Sequence, residues 1–174
     1  AWFGGGEASL SDRFVIAIIR EAMEYGPRLM ENPDSYDLRA RIMWAATNAL
    51  NTAISMGVTT DWSTHTIGHE LTALYGLDHA VTLAIVLPGV MKVTGEKRKE
   101  KILQYAERIW GITNFDHQAV INEAIRNTEQ FFRCLGVKTR LSEYHIGPEV
   151  IDRVVENLKR RNVTNLGRGK DVTV

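Results

Sequence analysis

The stretch STHTIGHELTALYGLDHAVTLAIVLP, residues 63 to 88, holds three of the chain's five histidines: His65, His69 and His79. Imidazole nitrogens ligate zinc, iron, nickel and copper, so a metal centre is the first chemistry to weigh. His65 and His69 stand four residues apart, which on one helix places both rings on the same face. Such a pair alone is weak evidence, because helical histidines with ordinary hydrogen bonds are common. The letters HEL suggest a protease motif, but H-E-x-x-H from His69 would need histidine where Ala73 stands. Glu70 is therefore not the general base of such a site.

His79 adds a third imidazole, and it can join the others only if the chain reverses. Unbroken helix would separate His65 from His79 by about 21 Å. Gly76 breaks that helix. From His65 to Leu74 the helix climbs roughly 13–14 Å, and the five steps from Leu74 to His79 cover about 16–18 Å when extended. A return is feasible and tight. Two or three histidines still leave a catalytic metal short of donors, since such sites combine three protein ligands or histidines with carboxylate. The remaining candidates are Asp78, Asp61, Glu70, His117 and His145, of which His117 and His145 read as surface or capping residues. The site is either unusual or completed by ligands outside the chain.

The elements that must position these residues are helical. Ser9 and Asp12 form a capping-box pattern ahead of FVIAIIREAMEY, which predicts a helix to a break at Gly26-Pro27. Asp34 or Ser35 caps a second helix, YDLRARIMWAATNALNTAIS, closed by Gly57. Asp61 or Ser63 opens a third through the histidines, with Gly76 as its stop. A fourth, from Ala80 to about Val93, is apolar on nearly all sides and is predicted to be the central buried helix, kinked or shortened by Pro88. EKRKEKILQYAERIWG predicts a helix ending at Gly111, with the charge run 96–101 as a solvated face. Residues 116–135 predict another, stopped by Gly136, and Pro148 opens the last, PEVIDRVVENLKRR. No alternating strand pattern, repeat or linker is legible. The fold class is all-α, a bundle of about seven helices.

Composition excludes several other functions. The 174 residues suit one domain, and 44% hydrophobic with 24% charged residues is ordinary for a globular protein. The 21 basic and 21 acidic residues cancel, so no net field favours nucleic acid or an anionic membrane. Cys134 is the single cysteine, which excludes an internal disulfide and is read as a buried small hydrophobe in FFRCLG. A reducing, cytoplasmic location is the default. The longest apolar run, Ala80 to Met91, contains Thr82 and Pro88 and is too short to span a bilayer. There is no strand followed by GxGxxG, no phosphate loop and no G-x-S-x-G elbow. Gly4-Gly5-Gly6 reads as a flexible connector, and Gly167-Arg168-Gly169-Lys170 as a turn. The chain starts on AWFGGGE without a methionine and stops at GRGKDVTV, so we read it as a piece of a longer polypeptide.

HTIGHELTALYGLDHAVTLAIVLP resembles the signature segment of the iron-containing (group III) alcohol dehydrogenases, within the branch of NAD(P)H-dependent butanol dehydrogenases and broad-range aldehyde reductases. His65, His69, His79, Leu87 and Pro88 fall at the family's positions. SDRFVIAIIREAMEYGPRLMENPDSYDLRARIMWAATNALN, ILQYAERIWGIT and FFRCLGVKTRLSEY extend the likeness to essentially the whole chain. The glycerol dehydrogenases and dehydroquinate synthases space their metal histidines differently. The resemblance implies the C-terminal helical domain of the dehydroquinate synthase-like superfamily, without its N-terminal Rossmann-like nucleotide-binding domain and without a final helix. It implies a divalent metal, Fe2+ or Zn2+, held by His65 and His79 with an aspartate and a histidine upstream of Ala1. It places His69 beside the nicotinamide and the substrate, where it acts in catalysis and contacts the cofactor. NAD(H) or NADP(H), a small primary alcohol or aldehyde of the butanol type, and a homodimer are further implications. The isolated chain is expected to be inactive.

Overall fold

The computed structural model describes residues 2–5, 9–167 and 169–174. Seven α-helices follow in order among them: α1 (Ser9–Glu31), α2 (Tyr36–Leu50), α3 (Ser63–Tyr75), α4 (His79–Val93), α5 (Lys99–Tyr105), α6 (His117–Cys134) and α7 (Val150–Arg160). Short 3₁₀ turns stand at Ala53–Ser55 and Leu141–Tyr144, and a π-helical turn, Ala106–Trp110, continues α5 to the left-handed Gly111. The all-α expectation holds, and none of these helices is long and apolar enough to cross a membrane.

Two apolar cores flank α4. One joins Val15 of α1, Met91 of α4, Ile102 and Tyr105 of α5, and Val120, Ile121 and Ala124 of α6, with Trp2 sealing its edge. The other joins Leu71 of α3, Val150, Val154 and Leu158 of α7, Ile146 and Leu166. Leu87 packs on the first and Val86 on the second. A helix between two cores needs apolar side chains around most of its circumference, which is the pattern read from the sequence. Its first residue, His79, lies at the exposed end.

Several local expectations need correction. α1 does not break at Gly26-Pro27 but runs on to Glu31. A proline inside a helix loses one backbone hydrogen bond and costs about 3 kcal/mol. Here Gly26 faces the side chains of Phe131 and Leu135, so this part of α1 is packed against the end of α6 and not free in solvent. Pro88 likewise sits inside α4, which continues through it. α2 stops at Leu50, sooner than its periodicity suggests, and Ser35 is its cap, accepting from the Leu38 N–H. Asp12 does not complete a capping box with Ser9; its carboxylate pairs with Lys101 Nζ at 2.7 Å.

Strand is present in miniature: β1 (Asn165–Leu166) and β2 (Val172–Thr173) form a two-stranded antiparallel hairpin. The expected turn at 167–170 is its tip, where Gly167 adopts φ +80° and its carbonyl accepts from Lys170; Arg168 lies outside the described residues. Gly5 is not a free connector, because its backbone exchanges two hydrogen bonds with Thr59, at 3.0 and 2.8 Å. Gly6 is outside the described residues. Cys134 is exposed rather than buried. The buried stripe of α6 runs through Val120, Ile121, Ala124 and Thr128, and Cys134 falls off it.

The charge run 96–101 is not a uniformly solvated face either. Arg98 turns inward to a mostly buried ion cluster, and Lys101 lies over the Trp2 ring while pairing with Asp12.

Candidate functional site

The three histidines meet where α3 and α4 turn back on each other. Gly76 ends α3 at φ +67°, its N–H bonded to the Thr72 carbonyl, and only Leu77 and Asp78 separate it from α4. A residue with a side chain is strained at that φ, so glycine makes the sharp reversal possible. Below the turn the two helices touch closely. A Cβ added to Gly68 would lie 3.0 Å from Thr82 Oγ1 and 3.3 Å from Leu83 Cδ2. Thr82 is fully buried, and its hydroxyl donates to the His79 carbonyl at 2.8 Å. The result is that all three rings converge, as a return of the chain after Gly76 requires.

Ring centroids stand 5.3 Å apart for His65 and His79, 4.7 Å for His69 and His79, and 6.4 Å for His65 and His69. With metal–nitrogen bonds of about 2.0–2.1 Å, two imidazoles on a tetrahedral ion have centroids about 5 Å apart. The His65–His79 spacing fits that geometry. The His65–His69 spacing would require the two nitrogens to face each other almost in line across the ion. The pair that is adjacent on one helix is thus the poorest match of the three.

Electrostatics favours the same use of His65. It is half-buried, and its pKa is lowered, first by burial and then by the neighbouring charges of His79 and His69 when protonated. A neutral imidazole keeps the lone pair that a metal needs. His69 and His79 are exposed.

The other candidate donors are mostly committed elsewhere. Asp61 Oδ1 accepts from the Ser63 backbone at 3.1 Å and from the Ser63 hydroxyl, and its Oδ2 accepts from Arg98 at 2.7 Å. Glu70 is buried and paired with Arg161 beside the end of α7. Asp78 precedes α4 without a side-chain capping bond. His117 is exposed on the first turn of α6, and His145 is exposed with a left-handed backbone after a 3₁₀ turn. Among the described residues, no group of three or more histidine, cysteine, aspartate or glutamate side chains is arranged to hold an ion. What the chain offers a metal is a pair of imidazoles, which fit such an ion as part of its ligand set.

Two supporting groups escaped the sequence reading. The first is the cluster of Arg98, Asp61 and Asp171, whose side chains are 10%, 8% and 9% exposed. Asp61 fixes the first residue of α3, so the cluster ties the start of the histidine helix to the α4–α5 link and the terminal hairpin. A signal was present: Arg98 stands four residues before Ile102, and so on the core-facing side of that helix. The second is Trp62, immediately before α3, whose indole meets the His65 ring edge-on.

Comparison with known proteins gives a consistent answer. Over 168 residues the chain is 45% identical to the NADPH-dependent aldehyde reductase YqhD of Escherichia coli, covering 97% of this chain and 43% of that protein. It is 35% identical over 170 residues to NADH-dependent butanol dehydrogenase A of Clostridium acetobutylicum, covering 96% and 44%. The crystal structure of Escherichia coli YqhD superposes with a TM-score of 0.93 at 46% identity, over 96% of this chain and 43% of that one. That of an NADH-dependent butanol dehydrogenase A from Thermotoga maritima gives 0.89 at 30% identity, over 99% and 45%. The chain therefore spans less than half the length of these relatives. Residues 1–166 match the Fe-containing alcohol dehydrogenase family, C-terminal, and it is to this family that the chain belongs.

Proposed function

We propose that this chain is the helical, metal-binding part of an NAD(P)(H)-linked oxidoreductase that interconverts small primary alcohols and their aldehydes. The observation that carries the reading is the spacing of His65 and His79, 5.3 Å between ring centroids, brought about by the reversal at Gly76. The relatives' names support the reaction class, since they are NADPH- or NADH-linked aldehyde reductases and alcohol dehydrogenases. His65 and His79 hold a divalent ion, iron or zinc, as neutral imidazoles, with further ligands and most of the nucleotide site supplied from outside residues 1–174. When bound, that ion supplies Lewis-acid polarisation of the carbonyl oxygen.

The chain's own residues then do three things. His65 stays neutral because burial disfavours its protonated form. His69, exposed and 4.7 Å from the His79 ring, faces the nicotinamide and the substrate. Imidazole is a general acid and base, so His69 gives a proton to the alcohol oxygen in reduction and takes it back in oxidation. Asp61, through Ser63, holds the first turn of α3 so that both rings keep their places.

The test compares His79→Ala with His69→Ala in the complete enzyme. His79→Ala loses its metal and its turnover together. His69→Ala keeps its metal and loses turnover by roughly 10²–10⁴-fold. Loss of metal from His69→Ala, with normal turnover per remaining ion, would reverse the two assignments. The 174 residues alone should show no NAD(P)H oxidation with butanal and only weak, exchangeable metal binding.

A further inference from the structure

We propose that Gly167 is a positioning residue of the metal site: it lets the β1–β2 hairpin close on the Arg98 cluster and so sets how firmly His65 is held for an ion. This rests on the functional reading above and extends that site to a segment remote from it in sequence.

His65 is the third residue of α3 and lies inside its first turn. The opening N–H groups of a helix have no partner within it and need one from outside. Trp62, at the cap position, supplies none from its side chain. Asp61 does so instead: its Oδ1 accepts from the Ser63 N–H at 3.1 Å and from the Ser63 hydroxyl. Ser63 itself is fully buried. Helix ends are the parts that open most readily, and a metal–nitrogen bond tolerates a displacement of only about 0.2 Å. A hold on Ser63 is therefore a hold on the His65 nitrogen.

Asp61 is held in turn by the hairpin. Arg98 Nη2 donates to Asp61 Oδ2 and to Asp171 Oδ1, both at 2.7 Å, and Asp171 leads into β2. Gly167 closes on the same atoms from the end of β1. A Cβ built on it would lie 2.7 Å from Asp171 Oδ1, 2.8 Å from Arg98 Nη2 and 2.8 Å from Asp61 Oδ2, nearer than side-chain carbons come. These atoms end flexible side chains, but each is bonded to another member of the cluster, so none gives way without breaking a bond. The φ of +80° is a second, separate demand for glycine. The preceding residue, Leu166, is 4% exposed and sits in the apolar core that also contains Leu71 of α3. The hairpin is thus joined to α3 by charge at its first turn and by apolar packing farther along. Such coupling is reciprocal: if the closed hairpin favours the ion, the bound ion favours the closed hairpin by the same factor.

The experiment measures Zn2+ dissociation constants and thermal midpoints of the complete enzyme, for the unaltered protein, Gly167→Ala, Asp171→Asn and a control weakened in the other core, Val120→Ala. Gly167→Ala and Asp171→Asn raise the Zn2+ dissociation constant about fivefold or more. Val120→Ala lowers the thermal midpoint and leaves Zn2+ affinity unchanged. Adding Zn2+ to the metal-free unaltered enzyme slows amide exchange at Val174, bonded to Thr164, and at Lys170, bonded to Gly167. The remote turn amides of Gly136 and His145 exchange as before. If Gly167→Ala does not fold, Asp171→Asn carries the same comparison. Lowered midpoints with unchanged Zn2+ affinity overturn the proposal and leave the hairpin a support for the fold alone. An equal loss of affinity in Val120→Ala overturns it too, as does hairpin exchange that Zn2+ does not slow. Zn2+ affinity that His79→Ala fails to reduce overturns the functional reading, and this one with it.

Discussion

Arg98 and Asp171 form a two-pronged ion pair, Nε to Oδ2 at 2.8 Å and Nη2 to Oδ1 at 2.7 Å. The same Nη2 also reaches Asp61 Oδ2 at 2.7 Å. One guanidinium thus joins two carboxylates that would otherwise repel each other in a mostly buried place. Arg98→Ala should destabilise the fold by about 3–5 kcal/mol, because it removes the guanidinium that the two mostly buried carboxylates share. Arg98→Lys should recover only part of the loss, since an ammonium cannot form the planar fork. Urea unfolding of the three proteins checks both; a change under about 1 kcal/mol for Arg98→Ala would show that the cluster carries no stability.

The same pair sets an acid response. The hydrogen bond from Arg98 is the largest cause holding the Asp171 carboxyl below its usual range. A depressed carboxyl contributes stability that is present above its unfolded pKa, about 4, and is lost as pH falls through the lower folded value. The unaltered protein should therefore lose more stability below about pH 4 than Asp171→Asn does, and chemical unfolding at stepped pH measures the difference.

His65 titrates with a consequence of the same sign. Burial first, then the proximity of His79 and His69, lowers its pKa below that of an ordinary histidine, about 6.5. Its protonated form is disfavoured in the folded chain, so stability falls as pH drops from 6.5 through the folded value and is unaffected by His65 above it. NMR titration should find His65 more acidic than an ordinary histidine, and His79→Gln should move it back upward. A normal His65 titration would mean that the ring is better hydrated than its half-buried position indicates.

Gly68 controls how near α3 and α4 approach. In Gly68→Ala the new methyl lies 3.0 Å from Thr82 Oγ1, so helix or side chain must shift. The expected cost is about 1–3 kcal/mol, with weaker metal binding as His65 and His79 separate. Adding Thr82→Ala restores the space, so the double variant should lose less than the sum of the singles. A thermal-unfolding cycle reads that coupling; strict additivity would show that the two residues do not meet.

Glu70 is predicted to be an anchor and not a base. It is 5% exposed and pairs with Arg161, tying α3 to the end of α7. Glu70→Gln should cost roughly 1–3 kcal/mol and leave metal content intact. A hundredfold loss of turnover at unchanged stability would give it a chemical role after all.

The helices were legible because their physics is local. Apolar spacing, Ser35 as a cap, and Gly76, Gly111 and Gly136 in left-handed conformations all write themselves into a few adjacent residues. The convergence of His65 with His79 could be read as feasible because one glycine and a short loop bounded it. What stayed hidden depends on partners far along the chain. Arg98 reads as one more charge in EKRKEK until Asp61 and Asp171 are placed beside it. Pro27 reads as a stop until Gly26 is seen against Phe131 and Leu135. Trp62 reads as a helix-preceding aromatic until its ring is found on His65. Spacing along the chain left open which imidazoles could share an ion, and the choice of His65 with His79 came from the family resemblance, with which their ring spacing of 5.3 Å is compatible.

The clasp between Arg98 and Asp171 also imposes an order on assembly. The two residues lie 73 positions apart, so bringing them together closes a long loop and has to overcome its entropy. During synthesis from the N-terminus, α3 and α4 emerge well before Asp171 does. Until then Arg98 has only Asp61 as its partner in the cluster, and the first turn of α3 is held from one side. The histidine pair is in this sense made by the earlier part of the chain and locked by the later, and a ribosome-bound chain ending before Asp171 should show faster amide exchange at Ser63 to His65 than the released protein.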